Sequence, residues 1–133
     1  MSDFEIISST FEYLAHKNID ISEATFKLFF EACPEAEDLM GHTDHLMRGR
    51  MLEALTMMMV MPEGASKTDL VLFEVNTHAT YDVEAFMYLR LLEAFYHAIK
   101  HAMQSDWTPP QEGAWQREIK RLIDIISVGS QTI

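Results

Sequence analysis

Apolar residues recur at three- and four-residue spacing along most of the chain, a pattern typical of amphipathic helices. The first such segment covers residues 3–16, where Phe4, Ile7, Phe11 and Leu14 follow this spacing. Strand signals are scarce, because β-branched residues are scattered and no Asn-Gly or Asp-Gly turn is present. The pattern therefore predicts an all-α protein.

Capping and helix-breaking residues divide this pattern into about seven helices with short connections. Ser22, Ser66, Asp82 and Thr108 are the predicted N-caps, and Thr108 also begins a capping box, Thr-Pro-Pro-Gln. Pro34 separates two helices, and the last helix is expected to end before Gly129. The predicted helices cover residues 3–16, 22–33, a short segment from 34, 43 or 44 to about 60, 66–78, 82–103 and 108–128.

Length and composition indicate one domain, spanning residues 1–133, with 48% hydrophobic residues. A net charge of −11 argues against nucleic acid as a partner, since phosphate binding needs a basic surface. No apolar run is long enough for a membrane span, and the acidic start "MSDFEIISS" does not resemble a secretory signal. With Cys33 as its single cysteine, the chain is expected in the cytoplasm.

His78 ends an apolar helical stretch, within "TDLVLFEVNTHATYDVEAF" at residues 68–86. It shares one helix face with Val71 and Val75. One interpretation is a core or boundary histidine that donates to a backbone carbonyl. The other is an axial ligand of haem iron, its ring held by the hydroxyl of Thr77.

Three stretches in order along the chain bear on this choice. "FKLFFEACPE" at 26–35 resembles the globin pattern of an aromatic four residues before a proline. The spacing from His78 to Val83 and Tyr88 resembles the proximal side of a globin haem pocket. "WTPPQEGAW" at 107–115 is similar to the start of the last helix in bacterial single-domain globins and flavohaemoglobins.

The resemblance implies a globin-like fold with a cofactor cleft. Haem b would lie between the helix from Asp44 and the helix ending at His78, with His78 as the metal ligand. The residues expected to touch the cofactor are Phe26, Phe30, Met40, Met47, Met51, Val75, Val83 and Tyr88.

The chain departs from the family pattern on the expected distal side. Met40 stands where globins have phenylalanine, Phe26 where many bacterial members have tyrosine, and Met47 where histidine or glutamine is usual. The implied distal pocket is apolar and rich in sulfur, without a hydrogen-bond donor. The methionines also suit a second role as adaptable core residues.

Charged and histidine residues leave further alternatives open. Glu74, one turn before His78, either reaches the imidazole or turns to solvent. Candidate partners for the haem propionates are Arg48, Arg50 and Lys67. Two histidine pairs, His42 with His45 and His97 with His101, are candidates for a sixth iron ligand and for zinc, respectively.

The first functional hypothesis is a haem globin that reversibly binds a diatomic gas (oxygen, nitric oxide or carbon monoxide) at iron held by His78. Enzymatic activity is left open, since nitric oxide dioxygenase or peroxidase-like turnover would need a separate reductase. The second hypothesis is a haem-free globin fold that acts as an interaction or signalling module. The third is an unrelated helical bundle. The sequence leaves open whether the protein is a monomer or a homodimer.

Overall fold

The computed structural model describes residues 1–132, with side chains as far as Gly129, so the last residue of the predicted domain, Ile133, lies outside the described residues. Within residues 1–132 there is no strand, and the all-α prediction is confirmed. The helices are α1 Asp3–His16, α2 Ser22–Ala32, α3 Pro34–Leu39, α4 His45–Met59, α5 Ala65–Ala79, α6 Ala85–Met103 and α7 Pro109–Thr132, with a 3₁₀ turn at Gln104–Asp106.

The core is built around α6, which packs against α2 on one side and α7 on the other. Phe95 and Ile99 of α6 are almost completely buried. Phe95 and Phe11 of α1 pack against Trp115 of α7, with ring centroids 5.5–6.1 Å apart. Interlocked aromatic rings of this kind bury large apolar areas and therefore fix α1, α6 and α7 together.

Capping side chains are present at the starts of two predicted helices, α4 and α7. The amide of Met47 donates to Asp44 Oδ1 at 2.8 Å, so Asp44 caps α4. At α7 the amide of Gln111 donates to Thr108 Oγ1 at 3.4 Å, while the amide of Thr108 donates to Gln111 Oε1 at 2.9 Å. These reciprocal bonds form the predicted capping box.

Three predicted caps are wrong. Ser22 is the first residue of α2, and its amide donates to Asp20 Oδ1 at 2.9 Å, so an earlier side chain satisfies this end. Ser66 lies inside α5, which begins after Gly64 at a φ of 154° that favours glycine. Asp82 has a φ of 66° in the turn before α6, which starts only at Ala85.

Gly129 does not end the last helix, contrary to expectation, because α7 continues to Thr132. A β-carbon at Gly129 would lie only 2.8 Å from Cδ2 of Leu72 on α5. The glycine therefore serves the close approach of α7 to α5 rather than a helix stop.

A buried ionic cluster joins α5 to α7. The ammonium of Lys67 lies 2.5 Å from Glu118 Oε2 and 2.9 Å from Glu63 Oε1, and Lys67 and Glu118 are only 2% and 1% exposed. The guanidinium of Arg121 contacts Glu118 Oε1 at 3.1 Å and Asp3 Oδ2 at 3.1 Å. The cluster thereby ties the start of α5 and the start of α1 to the middle of α7.

Asp3 gives the domain an acid-sensitive contact. Its carboxylate accepts bonds from Arg117 at 2.9 Å and from Arg121 at 3.1 Å, and these bonds lower the pKa of Asp3 from 3.8 to about 2. The folded protein thus binds this proton more weakly than the unfolded chain, so the stabilisation is complete above about pH 4 and is lost as the pH falls through about 2.

We expect Asp3→Asn to lower the free energy of unfolding at pH 7 by about 1 kcal/mol, the upper end for exposed ion pairs. The difference from the unsubstituted protein should shrink between pH 4 and pH 2, as measured by urea unfolding at each pH. Asp124→Asn, which alters an exposed pair with Lys120 at 3.4 Å, is the matched control. A difference for Asp3→Asn that is as large at pH 2 as at pH 7 would contradict this account.

Candidate functional site

An apolar cavity of about 420 Å³ lies between α2, α4, α5 and α6, with α7 closing one side. It reaches the protein surface, since the lining residues Met51, Met57 and His78 are each about 40% exposed or more. Among the described residues that line it, only Glu74, His78 and Tyr88 carry polar side chains. The cavity is therefore apolar with one polar edge, formed by α5 and α6.

The structure brings most of the sequence-predicted site residues together around this cavity. The proposed ligand His78 is among them, and the others are Phe26, Met40, Met51, Val75, Val83 and Tyr88. They come from α2, α4, α5, α6 and the connections after α3 and α5. The juxtaposition therefore depends on the fold as a whole.

Two predicted contact residues do not line the cavity. Phe30 lies behind the lining, stacked on Phe29 at 5.6 Å. Met47 is 42% exposed in the first turn of α4. The residues of this helix that line the cavity begin one turn later, at Met51, and continue through Leu55 and Met58. The apolar stripe seen in the sequence therefore extends one turn beyond the end of the cavity.

The ring of His78 is held by the backbone of its own helix. His78 Nδ1 lies 2.7 Å from the carbonyl oxygen of Glu74, and since a carbonyl only accepts, Nδ1 carries the proton. In the neutral form of the ring, Nε2 then keeps its lone pair and is able to bind a metal ion. Thr77, expected to hold the ring, is instead exposed on the helix surface. The two interpretations of His78 are compatible, because a bond to a carbonyl also orients a ligand histidine.

The polar edge also contains a carboxylate and a phenol. Glu74 Oε2 lies 3.6 Å from His78 Nδ1, and the Tyr88 hydroxyl lies 3.5 Å from the Glu74 carbonyl oxygen. Burial, helped by the charge of Glu74, raises the pKa of Tyr88 to about 12. Tyr88 is therefore a neutral hydroxyl at physiological pH, and its ring stands edge-on to His78 at 6.3 Å.

The wall formed by α4 offers only apolar atoms and thioethers. Its lining residues are Met51, Ala54, Leu55, Met57 and Met58. Across the cavity from them, α7 contributes Leu122 and Ile126, which the sequence analysis had not assigned to a site. Their one-turn spacing on α7 predicts a buried face but does not say whether that face meets a cavity or solid core.

Of the three candidate cations, Arg48 packs against a residue of the cavity lining. Its guanidinium is centred 5.8 Å from the ring of the lining residue Phe26 and 5.0 Å from that of Phe30, and its Nε donates to Thr43 Oγ1 at 2.9 Å. Lys67 is buried in the ionic cluster described above, and this burial removes it as a partner for a ligand at the cavity mouth.

The remaining histidines do not form a metal cluster. Within the described part of the chain, no group of three histidine, cysteine, aspartate or glutamate residues could hold a metal ion, so the zinc alternative gains no support. The described helices also include none that is long and apolar enough to cross a membrane. No protein-family model matches this chain, and comparison with curated proteins finds no match.

Proposed function

We propose that this protein is a globin that holds haem b in the apolar cavity and binds a diatomic gas at iron ligated by His78. The observation that carries the proposal is the state of the His78 ring. Its Nδ1–H donates to the Glu74 carbonyl at 2.7 Å, so in the neutral ring Nε2 is the free lone-pair donor of a residue that lines an apolar cavity. A neutral imidazole with its second nitrogen hydrogen-bonded is the usual form of a metal-ligand histidine.

The size of the cavity supports a bound molecule. Its volume of about 420 Å³ falls within the roughly 300–1,000 Å³ typical of sites for small molecules and cofactors. A sealed void of this volume would destabilise the fold by about 10 kcal/mol, at ~24 cal/mol per Å³. This is an upper figure because the cavity reaches solvent, yet it is comparable with the whole stability of a small domain. A bound molecule that covers the apolar walls would recover part of this cost.

The chain's own residues have distinct parts in this proposal. His78 would supply Nε2, the apolar walls from α2, α4 and α6 would shield a bound cofactor from water, and Arg48, which packs on the lining residue Phe26, is the candidate partner for a propionate. Bound haem would supply an iron with one coordination position open to a gas ligand. Because the wall formed by α4 contains no hydrogen-bond donor, it does not favour oxygen over nitric oxide or carbon monoxide.

Under the same proposal the protein works in the cytoplasm, as a monomer or a homodimer. Any redox cycle, including nitric oxide dioxygenase or peroxidase-like turnover, would draw electrons from a separate reductase.

The direct test is titration of the purified protein with hemin, followed by dithionite and carbon monoxide. We expect a Soret band at one equivalent that sharpens and shifts when carbon monoxide is added. Absence of a Soret band with excess hemin would reject the haem proposal and favour the interaction module.

Filling the cavity gives a structural check on the location of the site. Ala54→Trp should weaken hemin binding by about 5- to 150-fold, since accommodating the cofactor beside an indole requires rearrangement costing about 1–3 kcal/mol. Ala65→Trp, at the exposed start of α5 and outside the lining, is the control and should bind hemin normally. Equal affinities for the two variants would place hemin elsewhere on the protein.

A further inference from the structure

Two acceptor groups of Glu74 lie near the same ring nitrogen of His78. The backbone carbonyl oxygen lies 2.7 Å from Nδ1 and accepts its proton in a hydrogen bond, and carboxylate Oε2 lies 3.6 Å from the same atom. The two side chains are 40% and 38% exposed, so water screens the interaction only in part. The Nδ1–H bond is thus polarised by a full negative charge as well as by a peptide dipole.

We propose that the Glu74 carboxylate acts through His78: its charge increases the electron-donating strength of His78 Nε2 and lowers the reduction potential of iron bound there. This inference rests on the proposed function. A carboxylate close to the distant nitrogen of a ligand imidazole raises the basicity of the ligand nitrogen. A more basic axial ligand stabilises ferric over ferrous iron.

The surroundings of Glu74 leave its charge directed at His78. Among the described residues, Glu74 has one ion-pair partner within 4.0 Å, which is His78, and no lysine or arginine. Tyr88 approaches the carbonyl of Glu74 at 3.5 Å as a neutral hydroxyl. The carbonyl therefore fixes the ring orientation, and the carboxylate adds charge without being needed for that orientation.

The test compares the midpoint potential of the hemin-loaded protein with and without the negative charge of Glu74. Glu74→Gln keeps the size of the side chain, and we expect about a tenfold shift of the equilibrium towards ferrous iron, or about 59 mV for one electron. Outer-shell partners of metal ligands typically change metal affinity or activity by about 10–100-fold, and we expect an effect of the low-end size on this equilibrium because Glu74 is partly exposed.

Asp69→Asn is the matched control. Asp69 is exposed on the same helix, nine residues and therefore about 13 Å before His78, and the substitution removes the same charge. Its midpoint potential should stay close to that of the unsubstituted protein. High salt should narrow the gap between the unsubstituted protein and Glu74→Gln, which an effect on packing alone would not show.

Glu74→Asp provides a second variant, because it retains the charge on a shorter side chain and should give a potential between those of glutamate and glutamine. Equal potentials for Glu74→Gln and Asp69→Asn would overturn the inference, as would loss of hemin binding in Glu74→Gln alone. Failure of the unsubstituted protein to bind hemin would instead reject the proposed function, so the two failures are distinguishable.

Discussion

Replacing Lys67 by methionine is expected to lower the free energy of unfolding by about 3 kcal/mol, measured by urea denaturation at pH 7. The substitution leaves the carboxylate of Glu118, 1% exposed, without the ammonium that lies 2.5 Å away. Breaking a buried pair typically destabilises by about 3–5 kcal/mol, because an uncompensated charge stays in the interior. The low end applies here, since Arg121 remains 3.1 Å from the same carboxylate.

The double substitution Lys67→Met with Glu118→Leu distinguishes the effect of an unpaired charge from the effect of lost packing. Replacing both charges by apolar side chains should recover most of the lost stability, because neither partner is then left unpaired. Lys120→Met is the exposed control and should change stability by less than about 0.5 kcal/mol. If the double variant is no more stable than Lys67→Met, the cause is lost packing rather than an unpaired charge.

His78→Ala is expected to reduce hemin affinity by at least about 100-fold while the chain stays helical. The substitution removes the proposed iron ligand, and its effect should exceed the roughly 10–100-fold seen for outer-shell partners. Folding should be little affected, since the His78 side chain is 40% exposed at the cavity edge. Hemin titration followed by the Soret band gives the affinity, and circular dichroism gives the helix content.

His97→Ala serves as the matched control, because this histidine is exposed on α6 and does not line the cavity. A His78→Ala variant that keeps full affinity and an unchanged Soret band would show that another residue holds the iron. His42 and His45, near the start of α4, would then be the next candidates to substitute.

Sequence pattern predicts the helices of this protein better than their ends. The capping box at Thr108 forms as predicted because its two partners, Thr108 and Gln111, are three residues apart and need no tertiary contact. The prediction that the last helix ends before Gly129 is wrong, since the close approach of Leu72 is a tertiary contact that local sequence rules do not include. Local rules therefore succeed where the stabilising contact is itself local.

The candidate site divides in the same way. Helical spacing predicts that Val71, Val75 and His78 share a face, and in the structure all three line the cavity. The burial of Lys67 could not be predicted, because its partner Glu118 lies 51 residues away and lysine is rarely buried. The end of the cavity near Met47 was also unpredictable, since the pattern on α4 continues beyond it.

The sparse burial of α4, which forms one wall of the cavity, has a consequence for local opening of the domain. Of the fifteen residues of this helix only Leu52 and Met59 are buried, whereas α6 buries eight. Local opening free energies follow the apolar contacts that must be broken, so we expect the opening of α4 to cost less free energy than the separation of α6 from α7. A large, flat ligand could enter by this route, and once bound it would hold the helix closed through contacts that the empty domain lacks.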